Sequence, residues 1–290
     1  MIIRFYIPIV RGCSMDPLSE VLSRFSVSAG VFYAGQLCGV SSFDSQQNTV
    51  GHLHLLKQGT LVVYKGSQKL TLSEPSVVLF PKPTNHRLSA EQGEKVELVC
   101  AEISYGAGQH NPIADTLPEV VLLPLARCPG LTGVVSSLFE EVHDARHGRT
   151  LVMDRLTEVL IVMLLRELVS QEVVAKGMLA GLSHKKLAPV VQAIHQHPER
   201  SLSISELAHQ AAMSRTTFIE TFRQVLGVPP GDYILGWKMN IAQSLLKKGL
   251  PISQVASEVG YSNTSGFTRA FRNKTGLAPK AWLINNLTTS

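Results

Sequence analysis

Two short runs of polar side chains carry most of the chemistry legible in this chain. The first is Arg215, Thr216, Thr217 and Glu220; the second is Asn263, Thr264, Ser265 and Arg269. Guanidinium, carboxylate, amide and hydroxyl groups on the first turns of a helix match the donors and acceptors on base edges in a DNA major groove. Four further cations, Arg223, Lys238, Arg272 and Lys274, suit backbone phosphates, as do helix N-termini. From Lys185 to the end the chain holds 12 Lys and Arg against 5 Asp and Glu, a net of +7. Residues 1–184 carry 15 against 17, a net of −2. A basic C-terminal part beside a near-neutral one is the footprint expected of phosphate contact.

Such side chains work only if two helices hold them in register, and the sequence repeats itself to that end. Ile204, Ala208, Ser214, Phe218, Phe222, Gly227 and Pro230 find counterparts in Ile252, Ala256, Ser262, Phe267, Phe271, Gly276 and Pro279. The offset is 48 residues up to the serines and 49 from the phenylalanines onward, so one extra residue is expected at the start of the second copy's second helix. A match of this length indicates a duplicated unit. Ser203 is expected to cap the first helix, and Ser214 and Ser262 to cap the two recognition helices. Ala212-Met213 and Gly260-Tyr261 form the turns, and the phenylalanines at i, i+4 mark the buried face. Gly266 then falls in the middle of the second recognition helix. Between the copies, Gly231 to Lys248 has a helical apolar face of Tyr233, Leu235, Trp237, Ile241, Leu245 and Leu246. A helix of that length spans roughly 27 Å, enough to hold two readers about one DNA turn apart.

The run Ala256, Val259-Gly260-Tyr261, Ser262, Phe267, Ala270-Phe271-Arg272, Gly276 and Pro279, with Tyr233, Trp237, Ala242 and Leu245-Leu246 before it, resembles the DNA-binding domain of the AraC/XylS transcription regulators. The resemblance implies a double helix-turn-helix over residues 187–290 that binds promoter or operator DNA, and contact with RNA polymerase if the protein activates. Lys238 stands where the family usually carries arginine, and Gly266 offers no side chain to a base.

Upstream, from Ala29 to about Leu125, short β-type runs alternate with turns: Gly30–Gln36, Thr49–Lys57, Gly59–Lys65, Gln68–Leu72, Ser76–Phe80 and Lys95–Ser104. Many short strands with regular breaks indicate an antiparallel sandwich or small barrel. Asp16 and Pro17 open a short helix before it. Gly51-His52-Leu53-His54, with Pro75 to Pro81 and His86-Arg87-Leu88, resembles the half-motifs of a cupin, and more closely the cupin-like sensory domain of some AraC-type regulators. In metal-binding cupins a His-x-His pair, a glutamate and a later histidine hold the ion. The resemblance therefore makes His52, His54 and His86 candidate ligands for Zn²⁺ or another divalent metal, with Gln58 near the place of the acid. Structural histidines closing a barrel are the other reading. Some regulators of this build respond to oxidants, which makes Cys38 and Cys100 redox candidates. Neither has a basic neighbour in sequence to lower its pKa, and Cys100 sits in an apolar strand.

Two helices follow, one marked by Val134, Val135, Leu138, Phe139 and Val142, the other running from Leu151 to Val169. The second is apolar on more than one side and must be covered by more than its own domain; the resemblance implies a dimer interface here, and burial inside one large domain is the rival reading. The chain thus reads as a multidomain α+β protein. Residues 1–14 are an N-terminal extension, 15–170 a cupin-like sensory and dimerisation domain with a helical pair, 171–186 a linker, and 187–290 the all-α reader. Four cysteines without finger spacing, and no apolar run long enough for a membrane span, fit a cytoplasmic homodimer with reduced thiols. The function expected is sequence-specific transcription regulation in response to a small-molecule, metal or redox effector, with no enzymatic activity. The alternative is a cupin metalloenzyme fused to a DNA-targeting module.

Overall fold

The computed structural model describes residues 16–287, apart from 26, 44–49, 91–93, 106–110, 145, 172–173 and 175. The extension expected at 1–14 lies outside the described residues. Helix α1 (Pro17–Arg24) begins as its sequence requires: Asp16 accepts the Ser19 N–H at 3.0 Å, with proline at the first helical position.

Two antiparallel sheets follow. Strands β1 (Ser28–Leu37), β3 (Gly51–Gln58), β6 (Ser76–Phe80), β8 (Val96–Ser104) and β9 (Val121–Pro124) form one sheet in the order β1-β8-β3-β6-β9. Strands β2 (Val40–Phe43), β4 (Leu61–Lys65), β5 (Gln68–Leu72) and β7 (His86–Ala90) form the other, in the order β2-β7-β4-β5. The inward faces enclose a core of Leu56, Leu61, Val63, Val78, Phe80, Leu88, Leu98 and Cys100. The larger sheet is buried on both faces. Leu53, Leu55, Val77, Leu79 and Val99 point the other way and join a second core with the helices. The strands β2, β7 and β9 escape the reading of apolar runs because two are largely polar and one is four residues ending in proline.

Helices α2 (Thr132–His143) and α3 (Arg149–Ser170) cover that outer face. Asp154 on α3 accepts the Val31 N–H of β1 at 2.8 Å, fastening helix to sheet. Among the described residues no helix is long and apolar enough to cross a membrane.

The stretch expected to be a linker differs from that expectation. It holds α4 (Met178–Ser183), with Met178 and Leu179 buried. Its glycines serve close approach rather than freedom. A Cβ at Gly181 would come within 2.7 Å of Leu226, and one at Gly177 (φ +103°) within 2.4 Å of Thr116. The Gly177 N–H also donates to the Val225 carbonyl at 2.8 Å. Apolar Met178, Leu179 and Leu182 give this segment a core of its own to join, which glycine counting does not register.

The remainder is helical: α5 (Ala188–Gln196), α6 (Ile204–Gln210), α7 (Arg215–Leu226), α8 (Pro230–Lys247), α9 (Ile252–Glu258), α10 (Thr264–Thr275) and α11 (Pro279–Leu287).

Candidate nucleic-acid interface

Each recognition helix is set by the same local devices. Ser203 and Glu206 form a reciprocal capping box at the start of α6, with N–H to oxygen distances of 3.2 and 2.8 Å. The chain then turns through Ala212, a non-glycine residue at φ 49°, and the Met213 N–H donates to the Ala208 carbonyl at 3.0 Å. The second copy turns through Gly260 at φ 78°, with the Tyr261 N–H on the Ala256 carbonyl at 2.9 Å. Ser214 caps α7 by accepting the Thr217 N–H at 3.2 Å. The partner of Ser214 in the second copy is Asn263, which accepts the Gly266 N–H at 2.8 Å; Ser262 is not the cap. The extra residue therefore lies in the turn, and α7 and α10 are offset by 49 residues from their first residue. Gly266 consequently sits in the first turn of α10 rather than in its middle.

Phe218 and Phe222 on α7 are buried with ring centroids 5.5 Å apart, and Phe267 and Phe271 on α10 match them at 5.6 Å. Both helices end on left-handed glycines, Gly227 (φ 81°) and Gly276 (φ 80°), whose N–H groups return to Arg223 and Arg272. With the phenylalanine face fixed inward, the opposite face is fixed outward. Ser214, Arg215, Thr216, Thr217, Glu220 and Arg223 are all exposed. So are Ser262, Asn263, Thr264, Ser265, Arg269 and Arg272. Thr216, Glu220 and Arg223 are spaced i, i+4, i+7 and share one stripe, as do Ser265, Arg269 and Arg272. Sequence reading missed Gln224 and Asn273, exposed and equivalent across the repeat; the 49-residue offset would have paired them.

Two of the cations expected to meet phosphates, Lys238 and the exposed Lys274, lie off these stripes. Lys238 is half-buried on α8 and donates to the Arg200 carbonyl at 3.3 Å, and desolvation lowers its pKa. Lys274 lies roughly 140° around α10 from Arg269. It occupies the position equivalent to Val225, and lines a cleft of about 790 Å³ with Leu117, Val174, Met178, Leu226 and Trp237. Five residues separate Lys274 from Arg269, which is more than one turn but far from two, so the two side chains leave the helix in different directions.

In the barrel, His52 and His54 alternate with outward Leu53 and so point into the space between the sheets, where His86 enters from β7. The His86 ring is stacked between Phe43 and Phe80, at centroid distances of 4.7 and 3.9 Å. Its Nδ1 donates to the Thr84 carbonyl at 2.7 Å, which leaves Nε2 as the acceptor for the His54 Nε2–H at 2.8 Å. Burial pushes the pKa of His54 well down and that of His86 to about 4, so both rings are neutral. The nearest expected acid, Gln58, is an amide exposed at the end of β3. This arrangement does not fit the three-imidazole site expected for a metal. The His86 lone pair is already committed to His54, no carboxylate joins the rings, and among the described residues no group of three or more ligating side chains is placed to hold an ion. His52 (both nitrogens) and His54 (Nδ1) have no hydrogen-bond partner among the described residues.

The redox candidates separate. Cys38 is exposed, whereas Cys100 is 2% exposed and burial pushes its thiol pKa strongly up, away from thiolate chemistry.

A β-barrel domain joined to two capped helix-turn-helix units with outward polar stripes defines a DNA-binding transcription regulator. Residues 16–170 match a cupin family model, and residues 207–284 match a helix-turn-helix domain model. The HTH-type transcriptional regulator AlkR of Acinetobacter baylyi is 32% identical over 92% of this chain and 98% of its own. An HTH-type regulator of Haemophilus influenzae is 26% identical over 92% and 98%. ToxT of Vibrio cholerae, a solved structure, covers 91% of this chain and 98% of its own at 12% identity and a TM-score of 0.39. The chain belongs to the AraC/XylS-type transcriptional regulators with an N-terminal cupin domain.

Proposed function

We propose that the protein acts in the cytoplasm as a homodimeric regulator, without enzymatic activity, whose cupin domain gates how its reader engages a promoter. The observation that carries this reading is the pair of outward polar stripes on α7 and α10, on helices that share one buried core with the intervening α8. Regulation needs a receiving site, and the His52 nitrogens and His54 Nδ1 inside the barrel, without partners among the described residues, offer donors and acceptors for a small polar effector. Dimerisation is supported by α3, where Leu151, Val152 and Val159 are 60, 41 and 48% exposed beside otherwise buried residues. If the protein activates, RNA polymerase is the second partner.

The test is genome-wide mapping of the full chain in its own cells, followed by gel shifts on the mapped segments. A defined set of promoter segments that shift at concentrations leaving random duplex free is the expected result. Equal affinity for every duplex would remove the reading.

A further inference from the structure

Along the stripes Thr216, Glu220, Arg223 and Ser265, Arg269, Arg272 the two readers differ in charge at one position. The 49-residue offset between α7 and α10 pairs Thr216 with Ser265, Glu220 with Arg269, and Arg223 with Arg272. The first pair is hydroxyl with hydroxyl, and the last is arginine with arginine. The middle pair is a carboxylate against a guanidinium. Both middle residues are exposed, and among the described residues neither forms an ion pair. The shared arginine stands nearest the C-terminal end of each helix, where a sequence-independent phosphate contact suits both copies. The shared hydroxyl lies in the first turn and can meet any base.

We propose that Glu220 and Arg269 make the DNA site asymmetric, with cytosine under Glu220 in the first half and guanine under Arg269 at the equivalent place in the second. This rests on the DNA-binding reading above. A carboxylate only accepts, and the cytosine N4 amine is a major-groove donor that it can satisfy. A guanidinium only donates, and guanine offers O6 and N7 as paired acceptors. Each residue also rejects the other's base. Glu220 over guanine would face two acceptors with lone pairs of its own, and Arg269 over cytosine would face a donor. Because one reader cannot substitute for the other, the domain has a single orientation along its site. That orientation decides which side of the promoter the cupin domain faces.

The experiment uses the full chain and a library of duplex DNA carrying a randomised segment long enough for both half-sites. Wild type, Glu220→Arg and Glu220→Gln are each taken through rounds of binding and sequencing. Wild type should select two unlike half-sites, with cytosine and guanine at the matched positions. Glu220→Arg should turn the cytosine to guanine and leave the second half unchanged. Glu220→Gln should relax the cytosine toward adenine, since an amide both donates and accepts. The wild-type preference for cytosine at that position should be at least about fivefold. Should Glu220→Arg stay folded by circular dichroism but bind nothing, the Gln variant decides. A wild-type site that is selected cleanly, with the same base at the position in all three proteins, overturns the proposal while leaving DNA binding intact. Failure of wild type to select any sequence would instead overturn the reading on which it rests.

Discussion

Phe25, just past the end of α1, meets the indole of Trp237 on α8 edge-on, with ring centroids 5.1 Å apart. One residue belongs to the cupin region and the other to the reader, and both are buried in the same core. Arg24 beside it reaches the Gln196 carbonyl at 3.5 Å, and Ser244 donates to the Arg24 carbonyl at 3.5 Å. Phe25→Ala should cost about 3–5 kcal/mol by large-to-small truncation. It should also wet the Trp237 ring. Thermal unfolding and a red shift of tryptophan emission check this; unchanged emission would mean that the contact is not populated in solution.

His195 lies flat against Trp237 at 3.7 Å and bonds the Tyr233 hydroxyl at 2.8 Å. Burial lowers its pKa to about 3. A histidine buried neutral binds its proton more readily when unfolded, so its contribution is complete above the unfolded pKa near 6.5 and declines as pH falls from there toward 3. The loss should reach about 2 kcal/mol by pH 5. His195→Phe should flatten denaturant-derived stability across that interval, and a wild-type slope retained in the variant would assign the effect to other groups.

The two turns differ in the residue that adopts the left-handed backbone. Ala212 bears a Cβ at φ 49°, so Ala212→Gly should stabilise the protein by about 1 kcal/mol, seen as a raised melting temperature. The reverse change at Gly260 is obstructed as well as strained, because a Cβ there would lie 2.2 Å from the Glu199 carbonyl oxygen. Gly260→Ala should displace α10 and abolish binding at the second half-site, which footprinting would show. Protection of both halves by that variant would contradict the geometry.

On α3, Leu160 and Leu164 are fully buried, which makes them core. Leu160→Glu with Leu164→Glu should unfold the domain. Val152→Glu with Val159→Glu, on the exposed side, should keep the circular dichroism spectrum and convert a dimer to monomer in sedimentation. A sedimenting species that stays the same size with both valines changed would move the dimer contact off α3.

Arg272 and Lys274 are two residues apart and should behave differently on DNA. Arg272→Ala should reduce the slope of affinity against salt by about one unit and weaken all sequences alike. Lys274→Ala, facing the cleft, should leave that slope unchanged. Arg269→Ala should weaken the specific site roughly tenfold or more and relax its base preference. Equal slopes lost in the arginine and lysine variants would restore Lys274 to the phosphate surface.

Much of the reader was written locally. Serine caps on α6 and α7, glycine stops after α7 and α10, and the i, i+4 phenylalanines act within one or two turns, so these helices and the outward faces of α7 and α10 follow from the chain alone. The strand run of the cupin region was legible for the same reason wherever a strand carries a continuous apolar pattern, as in β4 and β6. Local pattern could not distinguish Ser262 from Asn263 as the cap, because adjacent residues both have capping side chains and only the packed turn selects one. Nor could it assign Lys238 and Lys274, whose direction depends on what the opposite side of each helix buries. The glycines at 177 and 181 show the same limit: sequence offers small size, and tertiary packing decides whether that means freedom or contact. The histidines are the plainest case. Sequence determined that three imidazoles would be available, but only the stacking of two sheets set the His86 lone pair against the His54 N–H, because β3 and β7 belong to different sheets and meet only where those sheets pack.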